Sequence, residues 1–176
     1  MSNNTEKTPQ RIRKIVYFWI PILSVALDLA SKYWAKTYLK PRKSIPVIGD
    51  AVTFTYLENK GAAWGMLSGK INFFVILTAL LIVLFLVLIA RMPATKRYRP
   101  LLITMLCLLG GAFGNLYDRI FQGYVTDFIS FDVIHFPVFN VADIFVTCSF
   151  FSLIILFLFY YSEEELSFIP LLGSKK

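Results

Sequence analysis

Four apolar runs, at about residues 15–35, 71–90, 101–118 and 141–161, constrain this chain more than anything else in it. A helix needs about 18 or more apolar residues to cross the hydrocarbon core of a bilayer. In lipid a backbone must satisfy its own hydrogen bonds, so runs of this kind form helices. Charged residues make up 16% of the chain and the mean hydropathy is +0.64, whereas soluble domains carry about 25% charged residues. The expected fold is an all-α polytopic membrane protein. It has four transmembrane helices in a single membrane domain over residues 1–176.

The net charge of +7 would suit nucleic acid if it were gathered on one polar face, but it is segregated along the chain. Lys7, Arg11, Arg13 and Lys14 precede the first run, and Arg91, Lys96, Arg97 and Arg99 crowd the connection between the second and third. Lys175 and Lys176 close the tail. The positive-inside rule puts these three segments in the cytoplasm. That gives a cytoplasmic basic N-terminus (1–14), a cytoplasmic tail (162–176) and an extracytoplasmic loop (36–70) of lower charge density. A basic start before an apolar run also describes a cleaved signal peptide. No small-x-small cleavage site follows cleanly, and Asp28 and Lys32 continue the same helix, so the run is read as an uncleaved span. Cys107 and Cys148, in different runs, read as small core residues. With one histidine (His135, read as a surface residue) and no CxxC or HExxH, no metal site and no cofactor are expected.

Helical rise converts sequence position into depth, at about 1.5 Å per residue. Asp28 lies about 20 Å into the first span, and Asn115, Asp118 and Arg119 lie about 22–28 Å beyond Pro100. Asn140 and Asp143 open the fourth span, and Asp127 follows the third. All reach one level on the non-cytoplasmic side. Interfaces tolerate charge, so Asp118, Arg119 and Asp132 can be read as ordinary helix ends. Asp28, flanked by Leu27 and Leu29, and Asp143, followed by Ile144, Phe145 and Val146, fit that reading less well. An ionisable residue inside a span is costly and marks function by default. Asp127 and Asp143, 16 residues apart on either side of a short polar stretch, suit shared-proton chemistry. In that chemistry one carboxyl activates water and the other polarises a carbonyl.

The third run ends in GGAFGNLYDR, where Gly110, Gly111, Ala112 and Gly114 allow a close helix approach. Packing alone accounts for these glycines. Asn115 and Arg119 share a helix face, from which they could orient or charge-balance a carboxylate. In residues 36–70, Pro46, the β-formers 52–56, Gly61 and Gly65 predict a small β-rich element. It would present Asn59 and the GAAWG backbone to an extended peptide. Trp64 reads equally as an interfacial anchor. Residues 121–139 predict a short strand or half-helix lying over the site.

Five blocks, DLASK (28–32), NKGAAWG (59–65), GGAFGNLYDR (110–119), VTDF (125–128) and FNVAD (139–143), occur in an order and spacing that resembles a known family. The chain resembles the bacterial lipoprotein signal peptidases (signal peptidase II), four-span aspartyl endopeptidases of the cytoplasmic (inner) membrane. The resemblance implies that Asp127 and Asp143 are the catalytic pair. It also implies that Asp28, Asn59, Asn115, Asp118, Arg119 and Asn140 shape the site and hold substrate. Leu29 departs from the polar residue many members carry there, and the basic N-terminal extension and the acidic SEEEL segment fall outside the match. The implied substrate is a prolipoprotein whose lipobox cysteine carries a diacylglyceryl group, cut just before that cysteine. Membrane lipid is the other implied partner, nucleic acid is not one, and a monomer is expected. A proton-coupled transporter and a non-enzymatic assembly subunit are the competing classes. The halves of the chain do not repeat one another, which separates it from most transporters.

Overall fold

The computed structural model describes residues 10–42, 44–49, 51–61 and 69–169. Four helical segments are long and apolar enough to cross a membrane: Lys14–Leu39, Ile71–Arg91, Lys96–Gln122 and Val141–Tyr160. Their regular α-helical parts are α1 (Trp19–Trp34), α2 (Ile71–Arg91), α3 (Arg99–Gln122) and α4 (Val141–Ile155). A π-helical turn, Ala35–Leu39, extends α1, and another, Leu156–Tyr160, extends α4. The protein is a multi-pass membrane protein.

The third span is the hub. Leu101, Leu102, Met105, Leu106 and Leu109 of α3 are buried with Ile20 of α1, Ile82 and Ile89 of α2 and Leu153 of α4. The opposite faces of α2 and α4 carry exposed apolar side chains such as Leu80 and Phe150. Between helices in lipid there is little hydrophobic driving force, so close packing by small residues does the joining. A β-carbon at Gly110 would fall on Ser24 of α1, and one at Gly114 on the Asp28 carboxylate. One at Gly111 would stand 2.5 Å from the Ala142 carbonyl oxygen of α4. The glycines therefore seat α1 and α4 on two sides of α3, at the level of the polar residues.

At one end of the bundle, residues on both sides of the spans meet the α2–α3 connection. Ile12 N–H donates to the Ala94 carbonyl (2.8 Å) and Lys96 N–H to that of Gln10 (3.0 Å). From the acidic segment after α4, Glu165 pairs with Arg97 at 2.8 Å, and its carbonyl accepts the Tyr98 hydroxyl at 2.7 Å.

At the other end sits a three-stranded antiparallel sheet, β1 (Ser44–Ile48), β2 (Val52–Asn59) and β3 (Val125–Phe131), in the order β1-β2-β3. Of the two forms expected for residues 121–139, the strand is the one present. The third helix runs to Gln122, beyond the expected end at 118, because Asp118 is satisfied inside the protein. Gly123 then ends it in the left-handed region (φ 72°), where glycine carries no Cβ penalty. Phe128 packs edge-on against Trp34 and Phe54, which fixes the sheet to the end of α1. Past β3 the chain doubles back. Phe128 and Ile129 N–H groups donate to the Phe139 carbonyl (2.9 and 2.8 Å), and Phe139 N–H returns a bond to Ile129 (3.0 Å). This bridge delivers Asn140 to the start of α4 beside β3.

Candidate active site

The start of α4 positions the first carboxylate. Asn140 is the N-cap, extended in backbone, and forms a reciprocal capping box with Asp143. Asp143 N–H donates to Asn140 Oδ1 at 3.0 Å, and Asn140 N–H donates to Asp143 Oδ2 at 3.1 Å. The second carboxylate, Asp127, comes from β3, opposite Leu57 of β2. It accepts Asn59 Nδ2 on Oδ2 at 2.8 Å and Asn140 Nδ2 on Oδ1 at 2.6 Å. Asn115 Nδ2 donates to Asp143 Oδ1 at 2.7 Å. Each carboxylate oxygen of the pair thus accepts an N–H, and Asn140 serves both aspartates.

Carboxamide orientation is inferred from hydrogen-bond partners, and here each partner is unambiguous. Gly61 N–H donates to Asn59 Oδ1 (2.9 Å), turning Nδ2 to Asp127. Asp143 N–H does the same for Asn140. Lys32 Nζ, a donor only, holds Asn115 Oδ1 at 2.9 Å.

The pair lines a cavity of about 470 Å³, within the range of ligand-binding pockets. Asn59, Asn115 and Arg119 share its polar wall, and Phe131, Phe136, Phe139 and Ile144 form apolar walls. Arg119 lies over the Phe74 ring, 5.3 Å from its centroid. Asp127 is 2% exposed. Burial, with the Asp143 charge adding to it, pushes its carboxyl up to about 7 against the opposing effect of the Asn59 and Asn140 donors.

Asp28 and Asp118 stand behind this wall rather than on it. Both are fully buried on Lys32 Nζ, at 2.7 and 3.3 Å. Asp28 Oδ1 also accepts the Ala142 N–H of α4 at 2.9 Å. Asp118 Oδ2 accepts the Thr126 N–H of β3 at 3.0 Å, and its other oxygen accepts Gln122 Nε2. They hold the two elements that carry Asp143 and Asp127. Lys32 and Gln122 drew no role from the sequence, yet each lies four residues from an aspartate on the same helix face, Lys32 from Asp28 and Gln122 from Asp118.

Cys148, expected in the core, is exposed and lines the cavity, because α4 turns Ala142, Ser149 and Leu153 inward instead. His135 is exposed, in a left-handed turn (φ 48°). Trp64 and the 62–65 backbone lie outside the described residues. Among the described residues no three His, Cys, Asp or Glu side chains are grouped to hold a metal ion.

Comparison with known proteins gives a consistent result. The Signal peptidase (SPase) II family matches over residues 20–159. The lipoprotein signal peptidase of Caldanaerobacter subterraneus subsp. tengcongensis is 45% identical over 123 residues, 69% of this chain and 81% of the relative. That of Francisella tularensis subsp. novicida is 38% identical over 142 residues, 77% of this chain and 86% of the relative. A solved bacterial membrane enzyme superposes with a TM-score of 0.74 at 30% identity, covering 86% of this chain and 93% of the other.

Proposed function

This chain belongs to the signal peptidase II family, and on that premise we propose that it is a membrane-embedded aspartyl endopeptidase acting on prolipoproteins. It removes the signal peptide from a diacylglyceryl-modified prolipoprotein, cutting just before the lipidated cysteine. The observation that carries this reading is the convergence of N–H donors on all the oxygens of Asp127 and Asp143, beside one cavity.

The pair holds one proton. Its ionised member takes a proton from water as the water oxygen attacks the scissile carbonyl carbon. The protonated member gives its proton to the carbonyl oxygen, and a gem-diol results. Collapse breaks the C–N bond, and the proton held by the first carboxyl passes to the leaving amine. A hydroxyl proton returns to the pair as the carboxyl product forms. Asn59, Asn115 and Asn140 hold the carboxylates in register, Arg119 faces the substrate from the same wall, and Asp28 and Asp118 brace the scaffold behind it.

The chain acts as a single membrane domain, residues 1–176, in a bacterial cytoplasmic membrane. Both termini lie in the cytoplasm, and the connection between α1 and α2, which carries β1 and β2, is extracytoplasmic. The site then lies near the outer face, where a thioether-linked lipid would hold the scissile bond. Acyl chains anchored between the spans position the peptide and lower the entropic cost of the reaction. It works as a monomer without a cofactor.

The test is cleavage by the purified protein of a diacylglyceryl-modified prolipoprotein, with the unmodified form as control. Cleavage before the cysteine of the modified form alone is expected. A folded protein that cuts neither form defeats the peptidase reading, and equal cutting of both defeats the role of the lipid.

The pH profile tests the shared proton. Asp127 is held at about 7, above its ordinary 3.8, so the folded pair keeps its proton below that value and loses it above. The expected kcat profile has an alkaline limb near pH 7. Between pH 3.8 and about 7 the folded chain binds a proton that the unfolded chain releases, so stability falls as pH rises through that window. A kcat that keeps rising past pH 8, about one unit above that limb, would be incompatible with a shared proton.

A further inference from the structure

Lys32 is not among the residues that line the cavity with Asp127 and Asp143, and its side chain is 1% exposed. Lysines near the end of a span ordinarily extend their amine to the membrane surface. This one turns inward. Its ammonium meets Asp28, Asp118 and Asn115. One lysine against two aspartates leaves this buried cluster at a net −1. Burying such a cluster stabilises a fold poorly compared with apolar packing, so stability alone does not account for it.

We propose that Lys32 is a positioning residue for the peptidase reaction, fixing the Asn115 carboxamide so that its Nδ2 faces Asp143. The proposal rests on the aspartyl-peptidase reading above. Asn115 Oδ1 accepts Lys32 Nζ at 2.9 Å and Asn140 Nδ2 at 3.1 Å, which leaves Nδ2 to donate to Asp143 Oδ1 at 2.7 Å. A reversed carboxamide would set its NH2 against two donors and its oxygen against a carboxylate. Without Lys32, the single remaining donor on Oδ1 is Asn140 Nδ2, which Asp127 also uses. Gly114 preserves the arrangement, because a β-carbon there would fall on the Asp28 carboxylate that holds the ammonium.

The charged groups around this cluster are Asp28 on α1, Lys36 on the turn after it, Asp118 and Arg119 on α3, Asp127 on β3 and Asp143 on α4. Loss of the Lys32 cation and of the donor it aims at Asp143 both disfavour the ionised pair. The alkaline limb of the kcat profile therefore moves to higher pH.

The experiment uses the full chain in detergent and a lipidated prolipoprotein. Lys32→Met is expected to lower kcat about 100-fold, the scale for losing one preorganised donor, while KM changes less than about threefold. Asn115→Ala should lower kcat similarly, and adding Lys32→Met to it should cost less than about threefold more, because both act through one contact. Lys32→Met leaves two buried carboxylates without their cation and can fail to fold. Lys32→Met with Asp118→Asn keeps the cluster at −1, and is compared with Asp118→Asn alone. The double variant leaves only Asp28 without a cation, so it should melt between Asp118→Asn and Lys32→Met, and still lose about 100-fold in kcat against that reference. Equal kcat for the double variant and its reference would mean that Lys32 does not position Asn115. Independent, multiplying losses for Lys32→Met and Asn115→Ala would mean that it does not act through Asn115. Both outcomes overturn the proposal while the wild type still cleaves. A wild type that does not cleave overturns the underlying peptidase reading instead.

Discussion

Asp127→Asn and Asp143→Asn are each expected to lower kcat by about 10²–10⁴-fold, the range for removing a positioned acid or base, with the fold intact. Asparagine keeps the size of aspartate and one acceptor oxygen, so most of the local geometry survives. In Asp127→Asn the new NH2 meets either Asn59 or Asn140, both donors. In Asp143→Asn it meets either Asn115 Nδ2 or the Asn140 N–H. One donor facing a donor costs about 1–3 kcal/mol, partly offset because a buried charge is no longer required. Melting temperature should shift modestly while cleavage collapses. Reading kcat and melting side by side separates chemistry from folding. Either variant keeping more than about a tenth of wild-type kcat, against losses of this scale, would rule out a two-carboxylate mechanism.

The second large effect comes from a residue with no side chain. Gly111→Ala puts a methyl group 2.5 Å from the Ala142 carbonyl oxygen, 2.9 Å from Val146 Cγ2 and 3.1 Å from Phe145 Cβ. The nearest of these is backbone in the first turn of α4, so it cannot rotate away, and the helix must move. Overpacking of this kind costs about 1–3 kcal/mol. Asp143 follows Ala142 directly, and a displacement of about 1 Å at a reacting group can cost about 10²-fold in rate. Gly111→Ala is therefore expected to lower both the melting temperature and kcat, the latter about 100-fold. Wild-type cleavage by this variant would show that α4 has slack at its start, contrary to the close approach described here.

The four spans were legible because lipid demands long apolar runs, and nothing else in the chain resembles them. Asp127 and Asp143, which line one cavity, stood out for the converse reason, as carboxyls at the edge of a span where charge is costly. Lys32 was not, since a lysine near the end of an apolar run has an ordinary explanation at the membrane surface. Its burial depends on Asp118 and Asn115, more than 80 residues away, meeting it across two helices. The roles of Asp28 and Asp118 were hidden in the same way. Both belong to the polar level predicted by counting, but only the packed helices decide whether a carboxylate at that level faces the cavity or the cluster behind it. The strand at 125–131 stayed ambiguous because its partner, β2, comes from a distant loop. The start of α4 was legible from its apolar run alone; the capping box of Asn140 and Asp143 at that point is a local motif whose spacing went unread.

The pairing of Asp28 with Lys32 also bears on how the protein enters its membrane. The N-terminal span is synthesised before the others, so it meets the bilayer while Asn115, Asp118 and Ala142 have yet to be made. A lone aspartate or lysine at such depth would oppose partitioning into lipid. Asp28 and Lys32 stand four residues apart on one helix and meet at 2.7 Å in the folded protein, a spacing that lets them compensate each other within α1 before any later helix is present. In the folded protein the same two groups keep that contact and add the Asn115 oxygen, the Asp118 carboxylate and the Ala142 amide to it. A contact that is local to one helix thus doubles as the point to which the later helices attach.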